Sequence, residues 1–312
     1  MSPETGKPKY IIVLGTTYSG SGAVYDYLAG RGDLYDPLDG SEYLLPQSPG
    51  GLMALEAASG DAFHHAMSDY AVIQFTKLAQ KLARSPRRSP YGKAYVSHVP
   101  EFLNEIEHFL LEITVAKMPM SLEWHKMMEH GTVRIIGRLK ARLGIHSTPM
   151  TTHIICSQHD LVHAAKKMHD RLFRSSSKKP VLLNQAGSGW NPVHSTRYFE
   201  GRKVVLVTRD PRDQFAELKQ YKRAANVEEF IKWYRALQQR IVAVNNKLVM
   251  VLPFEQFVLN NKSTVELLCN HFSLDFNIPS TYQASHSKKN IGKYENWLSV
   301  HEINRIEVEI VK

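Results

Sequence analysis

The sequence predicts an α/β fold, a parallel sheet flanked by helices, on three observations. Short runs of consecutive apolar residues recur at 10–14, 181–184 (VLLN), 203–208 (KVVLVT) and 248–252 (LVMVL); unalternated runs of this length are what strands buried on both faces look like. The first run leads directly into GTTYSGSG, Gly15 to Gly22, and then a stretch where Val24, Tyr27 and Leu28 repeat at helical spacing up to Gly30. Helix-opening signals separate the later runs: RDPRD at 209–213, a capping-box pattern at Asn226-Val-Glu-Glu229, another at Ser263-Thr-Val-Glu266, and a last at Ser299-Val-His-Glu302.

Between these parts, residues 33–51 are rich in Asp, Pro and Gly and predict a loop. Residues 53–173 are Met- and His-rich and mostly helical in pattern, broken by RSPRRSP at 84–90 and HSTPMTTH at 146–153. We take them as a helical insertion in one domain spanning 1–312, followed by the Ser/Lys linker at 174–180. A chain of 312 residues with 43% hydrophobic and 22% charged residues has ample material for such a core.

A net charge of +9 favours anionic partners: a nucleotide cofactor, an acidic polysaccharide, nucleic acid or an anionic membrane surface. Charge alone does not choose among them. The polar N-terminus and the brevity of the first apolar run predict no signal sequence and no transmembrane segment, leaving only peripheral association with an anionic surface. Two cysteines, Cys156 and Cys269, make a disulfide framework improbable and fit a reducing compartment, which places the chain in the cytoplasm.

The Gly15–Gly22 loop carries the chemistry. A strand entering glycine-rich backbone and then a helix N-terminus presents several N–H groups and the positive end of the helix dipole, which together hold a phosphate or sulfate. Gly15, Gly20 and Gly22 allow close approach, Ser19 and Ser21 add hydroxyls, and Ala23 opens the helix behind them. A Walker loop needs Lys then Ser or Thr after its last glycine; here Gly20 is followed by Ser21 and Gly22, which disfavours ATP chemistry.

Together with the second half of the chain, this pattern resembles the PAPS-dependent sulfotransferase family, nearer its carbohydrate and heparan-type members than its phenol and steroid types. Three segments carry the resemblance. Tyr18-Ser19-Gly20-Ser21-Gly22 is similar to the family's 5′-phosphosulfate loop, usually [K/R]-S-G-[T/S]-[T/S]. KVVLVTRDPRDQFAELKQY at 203–221 looks like its 3′-phosphate segment, and VLPFEQFVLNNKSTVELLCNHFSL at 251–274 like its following strand and helix. The likeness covers roughly residues 8–45 and 178–297. It implies a P-loop-like sulfotransferase fold, with PAPS (3′-phosphoadenosine-5′-phosphosulfate) as co-substrate, no metal, and a small-molecule or carbohydrate acceptor rather than nucleic acid.

Carried over residue by residue, the resemblance implies that Tyr18, Ser19, Gly20, Ser21, Gly22 and Ala23 hold the 5′-phosphosulfate and that Arg209 grips the 3′-phosphate. Lys288 and Lys289, in a late basic loop (SKKNIGKYENW, 287–297), would reach the same phosphate. Glu42 stands where heparan-type members place their general base, and a carboxylate tucked against Tyr43 and Leu44 would be partly desolvated, which suits that role. Asp36 and Asp39 are weaker alternatives.

Two positions depart from the pattern. The family usually has Lys or Arg at Tyr18, and a serine at Glu217. A carboxylate beside a dianionic phosphate is repulsive, so either Glu217 turns toward Lys219 or Lys222, or the 3′-phosphate is held differently. Asn184 and Gln185 replace the Lys and His of the soluble steroid and phenol types. Cys156, His159 and His163 have helical spacing, but coincidences are expected in a chain with 15 histidines, and no metal site is inferred. Two other functions stay open: an atypical P-loop kinase, and a non-catalytic nucleotide- or polyanion-binding protein on the same fold.

Overall fold

The protein is described by a computed structural model over residues 8–61, 63–88, 91–128, 139, 142–143, 150–174, 177–242, 244 and 247–311. Parts of the breaks at 84–90 and 146–153, part of the 174–180 linker and most of 129–149 in the expected helical insertion lie outside the described residues. In chain order the elements are β1 (Tyr10–Gly15), α1 (Ser21–Ala29), α2 (Leu52–Ala57), α3 (His65–Ala83), α4 (Tyr95–His98), α5 (Phe102–Ile113), β2 (Thr114–Pro119), α6 (Glu123–Met128) and β3 (Thr151–Ile155). Then come α7 (Gln158–Phe173), β4 (Val181–Asn184), α8 (Pro192–Ser195), β5 (Arg202–Thr208), α9 (Pro211–Gln220), α10 (Val227–Val242), β6 (Val249–Pro253), α11 (Phe254–Leu259) and α12 (Asn261–Phe272). The chain closes through α13 (Ala284–Lys288), α14 (Tyr294–Trp297), α15 (Val300–Ile306) and a π-helical turn, Glu307–Val311.

These elements form two compact units: Met1–Gln47, Ser97–Val99 and His169–Lys312 in the first, Ser48–Val96 and Pro100–Met168 in the second. The first unit is an α/β fold around a four-stranded sheet of order β4-β1-β5-β6, parallel throughout. All four apolar runs are its strands. From Tyr10 to Leu14 no side chain is exposed, and burying each Val, Ile or Leu contributes about 1.5–3 kcal/mol. Successive residues face opposite sides. Ile11, Val13, Leu182, Val205 and Val207 meet α1 through Val24 and Leu28, and α11 and α12 through Phe257 and Leu268. On the other face, Tyr10 packs on Phe199 at 5.3 Å and donates its hydroxyl to Asp170 at 2.7 Å.

The second unit packs Phe75 of α3 against Phe109 of α5, and an antiparallel β2–β3 pair lies beside them. The sequence reading of 53–173 as mostly helical missed this strand pair. Its strands contain Thr114, Val115, Thr151, Thr152, Ile154 and Ile155, β-branched residues that lose side-chain freedom in a helix. Fully buried Asp69 ties α3 to β3, accepting from His153 N at 2.9 Å and His153 Nδ1 at 3.0 Å, while its other oxygen meets His125 Nε2 at 2.7 Å.

The helix starts follow their caps in two of three places. Asn226 Oδ1 accepts from the backbone N–H groups of Glu228 and Glu229, and Ser299 and Glu302 form a reciprocal capping box. The third signal sits too late. Helix α12 begins at Asn261, and the Ser263 hydroxyl, already inside the first turn, donates to Asn260 O at 3.2 Å instead of capping. Among the described residues, no helix is long and apolar enough to cross a membrane.

Candidate functional site

The order β4-β1-β5-β6 means that the chain leaves β1 toward β4 on one side and reaches β5 on the other. In open α/β sheets such a switch point makes a crevice at the carboxyl ends of the strands. A cavity of about 540 Å³ lies there, lined by the whole loop Gly15–Gly22, by Glu42, Leu44 and Gln47, by Gln185 after β4, by Arg209 after β5, by Phe254 after β6, and by Glu217, Arg223 and Asn290. Tyr18, Ser19, Gly20, Ser21, Gly22, Glu42 and Arg209 are brought to this one edge, whereas Ala23, Lys288 and Lys289 do not line the cavity.

The loop is shaped by its glycines. A Cβ on Gly15 would stand 2.2 Å from Ser19 Oγ and 2.6 Å from Ser21 Oγ, and one on Gly20, at φ +79°, would enter the Phe254 ring. Gly22 has open space where a Cβ would be, so its freedom serves the cavity side and not the protein's own packing. Helix α1 starts without any side-chain cap, and in its first turn Ala23 N donates to Gly20 O at 3.1 Å. Ala23 faces inward to the core beneath the loop.

The two serines differ. Ser21 Oγ accepts from Gln185 Nε2 at 3.0 Å, and Gln185 Oε1 accepts from Gly15 N at 3.2 Å, so Gln185 braces both ends of the loop. Gln47 in turn donates to Gln185 O at 2.8 Å. Ser19 is 1% exposed, and among the described residues its hydroxyl has no hydrogen-bond partner. A buried unpartnered hydroxyl costs about 1–3 kcal/mol, which a ligand oxygen would recover.

Glu42 is set in place by an isolated parallel bridge to Asn184, reinforced by Tyr43 N donating to Asn184 O at 2.7 Å. Alternation along this extended segment sends Tyr43 into the core, edge-on to Phe173 and His169, and Glu42 to the cavity. Of the alternatives, Asp36 is engaged elsewhere: it accepts from Leu38 N, Gly40 N and the Tyr25 hydroxyl and closes its own loop.

Arg209 borders the cavity, but its fork is directed mainly at the protein. Nη1 donates to Tyr18 O at 2.9 Å and to Glu217 Oε2 at 2.8 Å, and Nη2 donates to Asn290 O. Its buried Nε has no partner among the described residues. Glu217 therefore does not turn toward Lys219 or Lys222, as one sequence alternative held. Lys219 pairs with Glu302 instead, and Glu217 is clamped between Arg209 and Lys293 Nζ at 2.9 Å. Asp213 accepts from Gly292 N and Tyr294 N, fastening the late loop to α9. Burial pushes the Asp213 carboxyl above the usual carboxylate range, against the pull of those two amides and of Arg209. Helix α9 is capped by Asp210, which accepts from Arg212 N at 2.8 Å.

From the late basic loop it is Asn290 that lines the cavity, whereas Lys288 ends α13 and Lys289 caps it. Sequence reasoning passed over Gln47, Arg223, Phe254 and Lys293. Phe254 had a usable signal, lying just beyond the strand predicted at 248–252; the others depend on tertiary contacts. Among the described residues, no group of three or more His, Cys, Asp or Glu side chains is arranged to hold a metal ion.

No protein-family model and no curated protein matches the sequence. Among solved structures, the chain is similar to the sulfotransferase domain of the Synechococcus PCC 7002 olefin synthase, at 14% identity and a TM-score of 0.42 over 89% of this chain and 78% of that one. It is also similar to the sulfotransferase domain from the curacin biosynthetic pathway, at 9% identity and a TM-score of 0.41 over 97% of this chain and 98% of that one.

Proposed function

We propose that the protein is a PAPS-dependent sulfotransferase that acts in the cytoplasm on a hydroxyl or amine of a small-molecule or carbohydrate acceptor. The observation that carries this reading is the convergence of a glycine-rich loop, an unpartnered buried hydroxyl at Ser19, and Glu42 on one cavity at the strand ends. PAPS, when bound, supplies a sulfuryl group on a phosphate leaving group. The amides of the loop and α1, with Ser19 and Ser21, would hold the 5′ end. Glu42 would take the acceptor's proton, and Arg209, through its unpartnered Nε, would face the 3′ end. Catalysis on such a scaffold comes from positioning and charge stabilisation.

The residues present fit the 5′ end of this ligand better than the 3′ end, because the Glu217 carboxylate stands in the cavity beside Arg209. Binding of a 3′-phosphate would therefore draw on Lys293 as well, with Glu217 yielding part of its hold on both cations.

Adenosine 3′,5′-bisphosphate, the product of transfer, is expected to raise the melting temperature by several degrees, since a ligand at about 100 times its Kd stabilises by about 2.7 kcal/mol. Magnesium-ATP should do much less, there being no Walker lysine. Equal or greater stabilisation by magnesium-ATP would replace the sulfotransferase with a kinase.

A further inference from the structure

We propose that Arg223 supplies the positive charge for the anion held by the Gly15–Gly22 loop, with Tyr18 as the platform that carries it. The inference rests on the sulfotransferase reading and names the residue that answers its main departure, the absence of a lysine or arginine at position 18.

The local structure delivers Arg223 to this place. Helix α9 ends at Gln220, and Lys222 takes the left-handed conformation at φ +54°. Arg223 N then donates back to Leu218 O at 2.8 Å, the six-to-one bond of a Schellman ending. This hook folds the chain over the phosphate loop. The Tyr221 ring stacks on Tyr18 at 5.3 Å with the planes 5° apart, and the Arg223 guanidinium stands 5.6 Å from the centre of the Tyr18 ring. A planar guanidinium rests on an aromatic face while its edge N–H groups stay directed at oxygen.

Charge accounting makes Arg223 the available cation. Arg209 and Lys293 both pair with Glu217. Arg223 lines the cavity, and among the described residues no carboxylate lies within ion-pair distance of it. It also borders an adjoining cavity of about 280 Å³, which includes Thr17, Glu229, Phe230 and Trp233, so it stands where two chambers meet at the loop. The charge that the family places on the loop is here carried by a residue beyond α9, and Tyr18 is its support.

The test is calorimetric titration of adenosine 3′,5′-bisphosphate at several salt concentrations, with wild type, Arg223→Ala, Arg223→Lys and the double variant Arg223→Ala/Tyr18→Lys. Arg223 is exposed, so its variants should fold. Loss of one charge-assisted contact predicts a Kd raised about 10- to 100-fold in Arg223→Ala, with a shallower salt dependence. Arg223→Lys should lose less, and Tyr18→Lys should recover about tenfold of the loss by returning the charge to the loop. A purely structural residue would show neither the change in salt dependence nor this rescue. A Kd for Arg223→Ala within about twofold of wild type, or a loss that Tyr18→Lys leaves untouched, overturns the assignment while the donor reading stands. No binding by wild type removes the donor reading and this inference with it.

Discussion

Glu42→Gln is expected to lower sulfuryl transfer by about 10²- to 10⁴-fold while leaving nucleotide affinity within a small factor. The amide preserves the side chain's shape and most of its hydrogen bonds but cannot take a proton from the acceptor. The backbone bridge to Asn184 and the burial of Tyr43 hold the position whichever side chain is present. Any loss should therefore fall on chemistry and not on folding. With labelled PAPS, the assay follows slow donor hydrolysis and a panel of glycans and phenols as acceptors. Near-wild-type transfer by the variant would remove Glu42 as the base. Asp36, already engaged by two amides and a tyrosine, would be a poor successor.

Arg209→Ala is expected to destabilise the fold by about 2–4 kcal/mol, since buried acceptors left without a donor cost about 1–3 kcal/mol each. With a side chain only 2% exposed, Arg209 joins three segments: the phosphate loop at Tyr18 O, α9 at Glu217 and the late loop at Asn290 O. Its removal leaves two carbonyls without their donor and Glu217 with Lys293 alone. Urea unfolding reads this as a lower midpoint at unchanged slope. Arg209→Lys keeps the charge but cannot span all three acceptors, and should fall between. Wild-type stability in Arg209→Ala, with a selective loss of affinity for ligands bearing a 3′-phosphate, would make the residue a ligand contact and not a structural one.

The sheet was legible because strands buried on both faces write themselves as unbroken apolar runs, and each of the four stood between turn or cap signals. The phosphate loop was legible for a similar reason, since its strand, glycines and helix are contiguous. The convergence of Glu42, the loop and Arg209 on one cavity follows from the same rule, that ligand groups collect at the carboxyl ends of parallel strands.

What escaped was non-local. The partner of Glu217 is set by a residue eight positions earlier and by Lys293, brought near only when Asp213 binds Gly292 and Tyr294. Arg223 belongs to no motif, and its placement depends on Lys222 accepting a left-handed conformation without glycine. The β2–β3 hairpin was hidden behind the strong helical periodicity of α5, which ends where Thr114 and Val115 begin.

The fastening of the late loop to α9 has a consequence for how the protein is made. The cavity's first wall, Gly15–Gly22, leaves the ribosome well before Asn290 and Lys293, which lie far later in the chain. At about 5–20 residues per second, the interval is on the order of tens of seconds. During that time the nascent chain has its phosphate loop but not the carbonyl of Asn290 that helps to orient Arg209, nor the lysine that shares Glu217. The nucleotide capture proposed above is thereby tied to synthesis of the chain past Lys293, and a ribosome-bound intermediate stalled before residue 290 should hold the bisphosphate more weakly than the released protein.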